Sequence, residues 1–301
     1  MSFGLLTCRT NNLGDEVQSL AAARFLPRVD HLLERDALQQ APAGEGPVHA
    51  IFNGWFFGPP YEWPPHPRLI PLLVSMHLSA LRSRKRFWRP SPVARLLTPQ
   101  GREWLSANGP VGARDLATLE RLQRRGIPSW YSGCLTLTLP AGAGPREDVV
   151  VACDLPEAHL AALRRYTSSR IVTATHHDAS TQGHVQRAAK AEALLDQYRR
   201  ARVVVTSRLH CALPCLAAGT PVLFLPIDPD RRRLQPGIDL AHTVEPSDFL
   251  AGRFDFKVDD PPDNPEAWRL LARGLVERCE AYVQSVTRSA PEVARCPTET
   301  L

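Results

Sequence analysis

Apolar residues along this chain fall into short β-branched runs that alternate with segments of helical spacing. Val203-Val204-Val205 is too short for a helix and predicts a strand buried on both faces. Thr206 and Ser207 end it, with Ser207 placed as a helix N-cap. Leu209 to Ala218 then reads as a small-residue helix, Gly219 as its C-terminal cap and Pro221 as a stop. Val222 to Leu225 predicts the next buried strand. The same alternation runs through the earlier chain. Phe3 to Thr7, Val29 to Leu33 and Val48 to Phe52 predict strands, with Asn53-Gly54-Trp55 at the C-terminal end of the third. A helix follows the first of these, and Pro71 to His77 is a further apolar segment. Thr98 to Asn108 and Leu116 to Arg125 predict helices, and Ile127 to Leu139 a strand with alternating Thr.

Pro140 to Pro145 is Pro/Gly/Ala-rich and predicts a linker. Beyond it come a strand at Asp148 to Cys153, a helix at Glu157 to Tyr166 and a strand at Arg170 to Thr175. A long helix is expected over His184 to Arg200, with Ala189, Leu194, Leu195 and Tyr198 inward. Pro226 to Pro236 reads as a polar loop, Trp268 to Thr287 as the last helix and Ser289 to Leu301 as a loose tail. Alternating strand and helix implies an α/β fold with parallel sheets. The linker predicts domains over 1–140 and 146–270, with a C-terminal helix and tail over 271–301.

A chain of 301 residues with 44% hydrophobic content can bury cores of that size. The net charge of +5 is spread over many arginines and comes without a nucleic-acid motif. It suits anionic small molecules and no nucleic acid. The seven cysteines are irregularly spaced, and their apolar settings predict reduced thiols of a cytoplasmic protein. Neither a signal peptide nor a run long enough to span a membrane is expected. The basic run Arg82 to Arg89 reads first as a solvated face. Its sharper reading is contact with a phosphate-bearing lipid carrier, hence a peripheral position at the inner face of the membrane.

Candidate chemistry gathers at the predicted strand-to-helix junctions, where open parallel sheets bind ligands. Arg208 and His210 sit where a strand hands over to a helix N-terminus, a place that attracts anions. Asn11, Asn12 and Gly14 form a turn at another such junction, followed by Asp15 and Glu16, of which Glu16 reads as a helix-dipole partner. Arg114 is a fixed cation at a third junction, beside Asp115 as an N-cap. His176, His177 and Asp178 could look like metal ligands, but adjacent histidines on a strand point to opposite faces, so one histidine in the cleft and one serving structure is expected rather than a metal site. The aromatic segment from Trp55 to Trp63 is either a lid or sugar platform, or a Pro-stiffened cover over a domain core.

V-T-S-R-L-H with G-T-P-V after it, N-N-L-G-D-E at 11–16, V-G-A-R-D at 111–115 and Y-S-G-C-L-T-L at 131–137 together resemble the polysaccharide pyruvyl transferase family. The resemblance implies two Rossmann-like domains facing across a cleft, as in glycosyltransferase-B folds. It implies phosphoenolpyruvate as donor substrate, with no separate cofactor; the absence of paired Cys/His spacing and of an acidic cluster with ligand spacing predicts no metal. The acceptor would be a sugar hydroxyl of a polysaccharide or its lipid-linked precursor, converted to a pyruvate ketal. Asp15 and His210 are then the catalytic candidates. Asn12, Asn53, Arg114, His176, Arg208 and Leu209 are the substrate-binding candidates, with Arg114 and Arg208 as anion clamps. Two alternatives stand beside this reading: a nucleotide-sugar glycosyltransferase of the same architecture, and a non-catalytic protein that binds glycans or lipid carriers.

Overall fold

The computed structural model describes residues 1–56, 63–78, 92–142, 144–180 and 182–288. The aromatic residues Phe57 and Tyr61, the basic run Arg82 to Arg89 and the tail Ser289 to Leu301 lie outside these residues. Two parallel sheets organise the chain. The first holds β1 (Ser2–Thr7), β2 (His31–Glu34), β3 (Val48–Phe56), β4 (Leu69–Leu78), β5 (Val111–Ala113) and β6 (Ser129–Tyr131), in the order β2-β1-β3-β4-β5-β6. The second holds β7 (Glu147–Cys153), β8 (Arg170–Ala174), β9 (Ala201–Thr206), β10 (Val222–Phe224) and β11 (His242–Thr243), in the order β11-β10-β9-β7-β8. Strand order reverses beside the first strand of each sheet, between β1 and β3 and between β7 and β9. Ligands of doubly wound sheets bind outside the carboxyl ends at such points.

Helices α1 (Leu13–Ala23), α2 (Pro92–Leu96), α3 (Pro99–Ala107) and α4 (Leu116–Gln123) belong to the first half. Helices α5 (Glu157–Tyr166), α6 (His184–Arg200), α7 (Leu209–Ala218), α8 (Arg231–Leu240) and α9 (Pro246–Ala251) belong to the second, and α10 (Trp268–Arg288) closes the described chain. One buried apolar cluster runs through both halves, from Phe3 and Val17 to Leu195, Leu213 and Phe224. Helix α10 returns to the first sheet, where Tyr282 Oη donates to the Ile70 carbonyl at 2.6 Å. Among the described residues no helix is long and apolar enough to cross a membrane.

Several sequence expectations change here. Leu135–Thr138 is a buried 3-10 turn, not a strand, because Gly133 (φ 68°) turns the chain after β6 and all four side chains are swallowed between α1, α7 and α10. Arg231–Leu240 is a helix despite Pro236. Gly237 lets it sit hard on the second sheet, where a Cβ would fall 2.8 Å from Phe224. Arg208, not Ser207, is the N-cap of α7, since the Ser207 hydroxyl is spent on the Asp154 carbonyl at 2.7 Å. On α6 the inward face is Arg187, Ala191, Leu195 and Tyr198, and Ala189 is exposed. Strand β3 continues through Asn53 to Phe56. Its register with β4 shifts between Phe52 and Gly54, opposite Ser75 at φ 52°. Such a bulge re-aims the residues that follow it.

Candidate active site

Residues from the strand ends of both sheets meet around one small cavity. Asn12, Asp15, Trp55 and Arg114 come from the first half, and His176, Arg208, Leu209, His210 and Arg233 from the second. The cavity leaves about 30 Å³ free, room for a water or two rather than a three-carbon phosphate. Trp55 and Arg233 form part of its wall, with the Arg233 guanidinium 5.4 Å from the Trp55 ring centroid. Ligand entry therefore requires side chains of this wall to move.

Two backbone bonds hold the halves together at the cavity. Leu13 N–H donates to the His176 carbonyl at 2.8 Å, and Asp178 N–H to the Asn11 carbonyl at 2.8 Å. Asn12 caps α1, its Oδ1 accepting from Gly14 N–H at 3.1 Å. Gly14 is needed for a close approach: a Cβ there would lie 3.1 Å from His210 Nδ1 and 3.2 Å from His176 Nδ1. Glu16 is not a mere dipole partner. It is 1% exposed and pairs with Arg187 Nε at 3.0 Å and His184 Nδ1 at 2.7 Å, tying α1 to α6.

Arg114 is 1% exposed. Its Nη1 lies 3.4 Å from Gln18 Oε1 and 3.5 Å from His210 Nε2, and among the described residues its Nε has no hydrogen-bond partner and its guanidinium no ion pair. Burial lowers its pKa from the ordinary value. A buried cation without a carboxylate is costly, and a bound anion is what would offset it. His210 is held well below the usual histidine range, by burial first and then by the charges of Arg114, His176 and Arg233. Its imidazole is neutral in the free protein. Arg208 donates Nε to Asp154 Oδ2 at 2.7 Å, and among the described residues its Nη groups take no hydrogen-bond partner. Asp154 adopts φ 51°, a sparsely populated conformation for a non-glycine residue. Burial pushes its carboxyl up, but bonds from Thr175 and His176 N–H and the Arg208 charge outweigh this and hold it low.

Asp15 is 5% exposed, accepting from Thr10 Oγ1 at 2.6 Å and Gln18 Nε2 at 3.3 Å, with Arg35 Nη1 3.9 Å away. Leu209 contributes an apolar edge and is mostly packed in the core. His176 is 1% exposed, with Nε2 2.9 Å from Tyr198 Oη. Its ring nitrogen lies within 4.8 Å of the Cys153 and Cys211 sulfurs. Burial pushes both thiols up, and Tyr198 Oη also meets Cys153 Sγ at 3.3 Å, so hydrogen bonds occupy this trio.

Asn53 does not reach the cavity. It is 4% exposed and its Nδ2 donates to the Gln18 carbonyl at 2.9 Å, one layer behind Arg114's partner. Arg233 and Asp154 are wall and support residues that sequence reasoning did not single out, whereas Trp55, the first residue of the aromatic segment, forms part of the wall. Trp63 packs on Phe56 and Trp104, with ring centroids 6.1 and 5.0 Å away, and so covers the first core. A larger cleft of about 640 Å³ lies beyond the Asn12–His177 bridge, lined by Thr10, Glu34, Asp178 and Arg187 among others.

Comparison with known proteins shows what the chain is similar to. No curated protein matches the chain. Among solved structures, an uncharacterized protein of Klebsiella pneumoniae aligns at 13% identity over 79% of this chain and 89% of its own, with a TM-score of 0.46. UDP-GlcNAc 2-epimerase of Methanocaldococcus jannaschii aligns at 10% identity over 96% of this chain and 100% of its own, with a TM-score of 0.47. The same enzyme in complex with UDP-GlcNAc and UDP gives 0.45. Residues 87–229 match the model of the polysaccharide pyruvyl transferase family. Over that stretch, which supplies Arg114, His176, Arg208 and His210, the chain is similar to polysaccharide pyruvyl transferases, and the match indicates a transferase.

Proposed function

We propose that this protein transfers pyruvate from phosphoenolpyruvate to two hydroxyls of a saccharide, forming a cyclic ketal. The observation that carries the reading is Arg114: a buried guanidinium with no carboxylate partner among the described residues, beside a neutral His210 at a helix N-terminus. Phosphoenolpyruvate offers a phosphate and a carboxylate on one small frame. Arg114, Arg208 and Arg233 supply fixed cations for them. The family match over residues 87–229 supports the same reaction class.

The residues divide the work as follows. The donor rests on Arg208, His210 and the amide end of α7, with Arg114 opposite. The donor's negative charge raises the proton affinity of His210, which then delivers a proton to the methylene carbon. The central carbon becomes electrophilic, an acceptor hydroxyl adds and phosphate leaves. Asp15 takes the hydroxyl proton, oriented by Thr10 and Gln18. A second hydroxyl closes the ketal. One of the two hydroxyl protons ends in the new methyl group and the other leaves with phosphate. No step calls for a metal or separate cofactor. The two sheets act as two Rossmann-like domains, 1–140 on the acceptor side and 146–270 on the donor side, with the cleft between them and the C-terminal helix, within the 271–301 segment, packed on the first sheet. The acceptor is a polysaccharide unit or its lipid-linked precursor, met at the inner face of the membrane.

Calorimetry with phosphoenolpyruvate tests this. Arg208→Lys keeps a charge for Asp154 but loses the planar fork, and donor affinity should fall at least tenfold. Asp15→Asn keeps the shape, and turnover should fall far more than donor affinity. Unchanged donor binding in Arg208→Lys would remove that residue from the site.

A further inference from the structure

Trp55, His77 and Arg114 form a row across three neighbouring strands. Trp55 on β3 is in register with His77 on β4. Met76 is in register with Ala113 on β5, which brings Arg114 level with His77. The two ends of the row line the cavity, and His77 is the residue between them. Its ring centroid is 6.2 Å from that of Trp55. His77 Nδ1 lies 2.5 Å from Asp115 Oδ2, and Asp115, fully buried, is itself fixed by the Thr118 amide at 2.9 Å and hydroxyl at 3.2 Å. At 3% exposure, His77 Nε2 has no hydrogen-bond partner among the described residues. A buried nitrogen left without a partner is costly, and such groups call for a specific explanation.

We propose that His77, held by Asp115, is a second proton acceptor of the reaction: its Nε2 takes the proton of the acceptor hydroxyl that closes the ketal. The proposal rests on the pyruvyl-transfer reading above. Ketal formation releases two hydroxyl protons, and Asp15, which also lines the cavity, serves one of them. As a lone pair of the second oxygen forms the new bond to the central carbon and the carbon–oxygen bond to phosphate breaks, the O–H electron pair stays on that oxygen, and the proton passes to Nε2 and then to the departing phosphate. The Asp115 carboxylate accepts from Nδ1–H and so leaves the Nε2 lone pair facing away from it. Burial and the Arg114 charge keep the ring neutral and competent as a base, against the pull of Asp115 and of Asp230 at the start of α8. Displacement of the Trp55 and Arg233 wall, which the 30 Å³ cavity requires for entry, is what brings Nε2 into contact with ligand.

The experiment has two arms on the full chain. First, imidazole nitrogen NMR follows His77 and His210 while phosphoenolpyruvate is added. Both should shift, and movement of His210 alone would overturn the placement of His77, whatever the catalytic outcome. Second, phosphate release with a saccharide diol is measured over pH for the wild type, His77→Gln and Asp115→Asn, with melting curves to confirm folding. Turnover should fall at least tenfold in His77→Gln, with KM for phosphoenolpyruvate within about twofold and the acidic limb of the pH profile lost. Asp115→Asn should lower turnover in the same sense if it folds. Wild-type turnover and pH profile in a folded His77→Gln would refute the proposal. A wild type that shows the NMR shift but releases no phosphate would instead sink the transfer reading.

Discussion

Arg114 Nη1 lies 3.5 Å from His210 Nε2, so a residue that follows a strand of the first sheet touches one that opens a helix of the second. Burial first, and then the Arg114 charge across that contact, hold His210 well below the usual histidine range, and an anion would act on both groups. A bound phosphate or carboxylate offsets the buried guanidinium and favours the imidazolium at once.

Arg114→Met should separate function from stability. A buried, unpaired guanidinium costs the fold more than an apolar side chain of similar volume. Donor affinity should fall by at least tenfold in calorimetry, while the thermal midpoint without ligand stays level or rises. A large loss of midpoint would mean that Arg114 is chiefly structural.

Stability should fall as pH drops below about 6.5, the ordinary histidine value. His210 and His77 both titrate lower in the fold than in the unfolded chain, each chiefly because of burial. Between the folded and unfolded values the unfolded chain binds more protons, so stability rises with pH through that window and is fully present above it. Urea unfolding at several pH values checks the sign, and His210→Gln should flatten the slope.

Glu16→Ala should be among the most damaging single changes. It removes the carboxylate between Arg187 and His184 and leaves a cation that is 4% exposed with only the longer pair to Asp178 Oδ2 at 3.7 Å. The expected cost is about 3–5 kcal/mol. Because one apolar cluster runs through both sheets, unfolding should stay a single transition. Two separated transitions in calorimetric melting would contradict the shared core.

Gly14→Ala tests the close approach at the cavity. The backbone there is not in the left-handed region, so the added methyl acts only by crowding Asn12, His176 and His210. Turnover should drop at least tenfold while stability changes by about 1 kcal/mol or less. An unaffected rate would place the reacting atoms elsewhere.

Much of the fold was legible because buried parallel strands leave dense β-branched runs and their helices end on marked residues. Glu157–Tyr166, His184–Arg200 and Leu209–Ala218, with Gly219 at φ 72°, stand where spacing placed them. The 3-10 turn at Leu135–Thr138 was hidden because tertiary burial overrode alternating Thr, and α8 because its arginines and Pro236 imitate a loop. Seven of the eight site candidates line the cavity, since each followed a strand end, whereas Asn53 lies within a lengthened β3 and turns behind Gln18. The Asp115–His77 pair joins residues far apart in sequence, and no local pattern announces it.

The central claim is pyruvyl transfer, and mass spectrometry of the acceptor together with phosphate release tests it most directly. Incubated with phosphoenolpyruvate and a saccharide carrying two neighbouring hydroxyls, the wild type should release one phosphate for each acceptor that gains a pyruvate ketal, with a chelator present and without it. Arg114→Met and His210→Gln should do neither. Phosphate released without a ketal, or ketal formed at wild-type rate by both variants, would contradict the account.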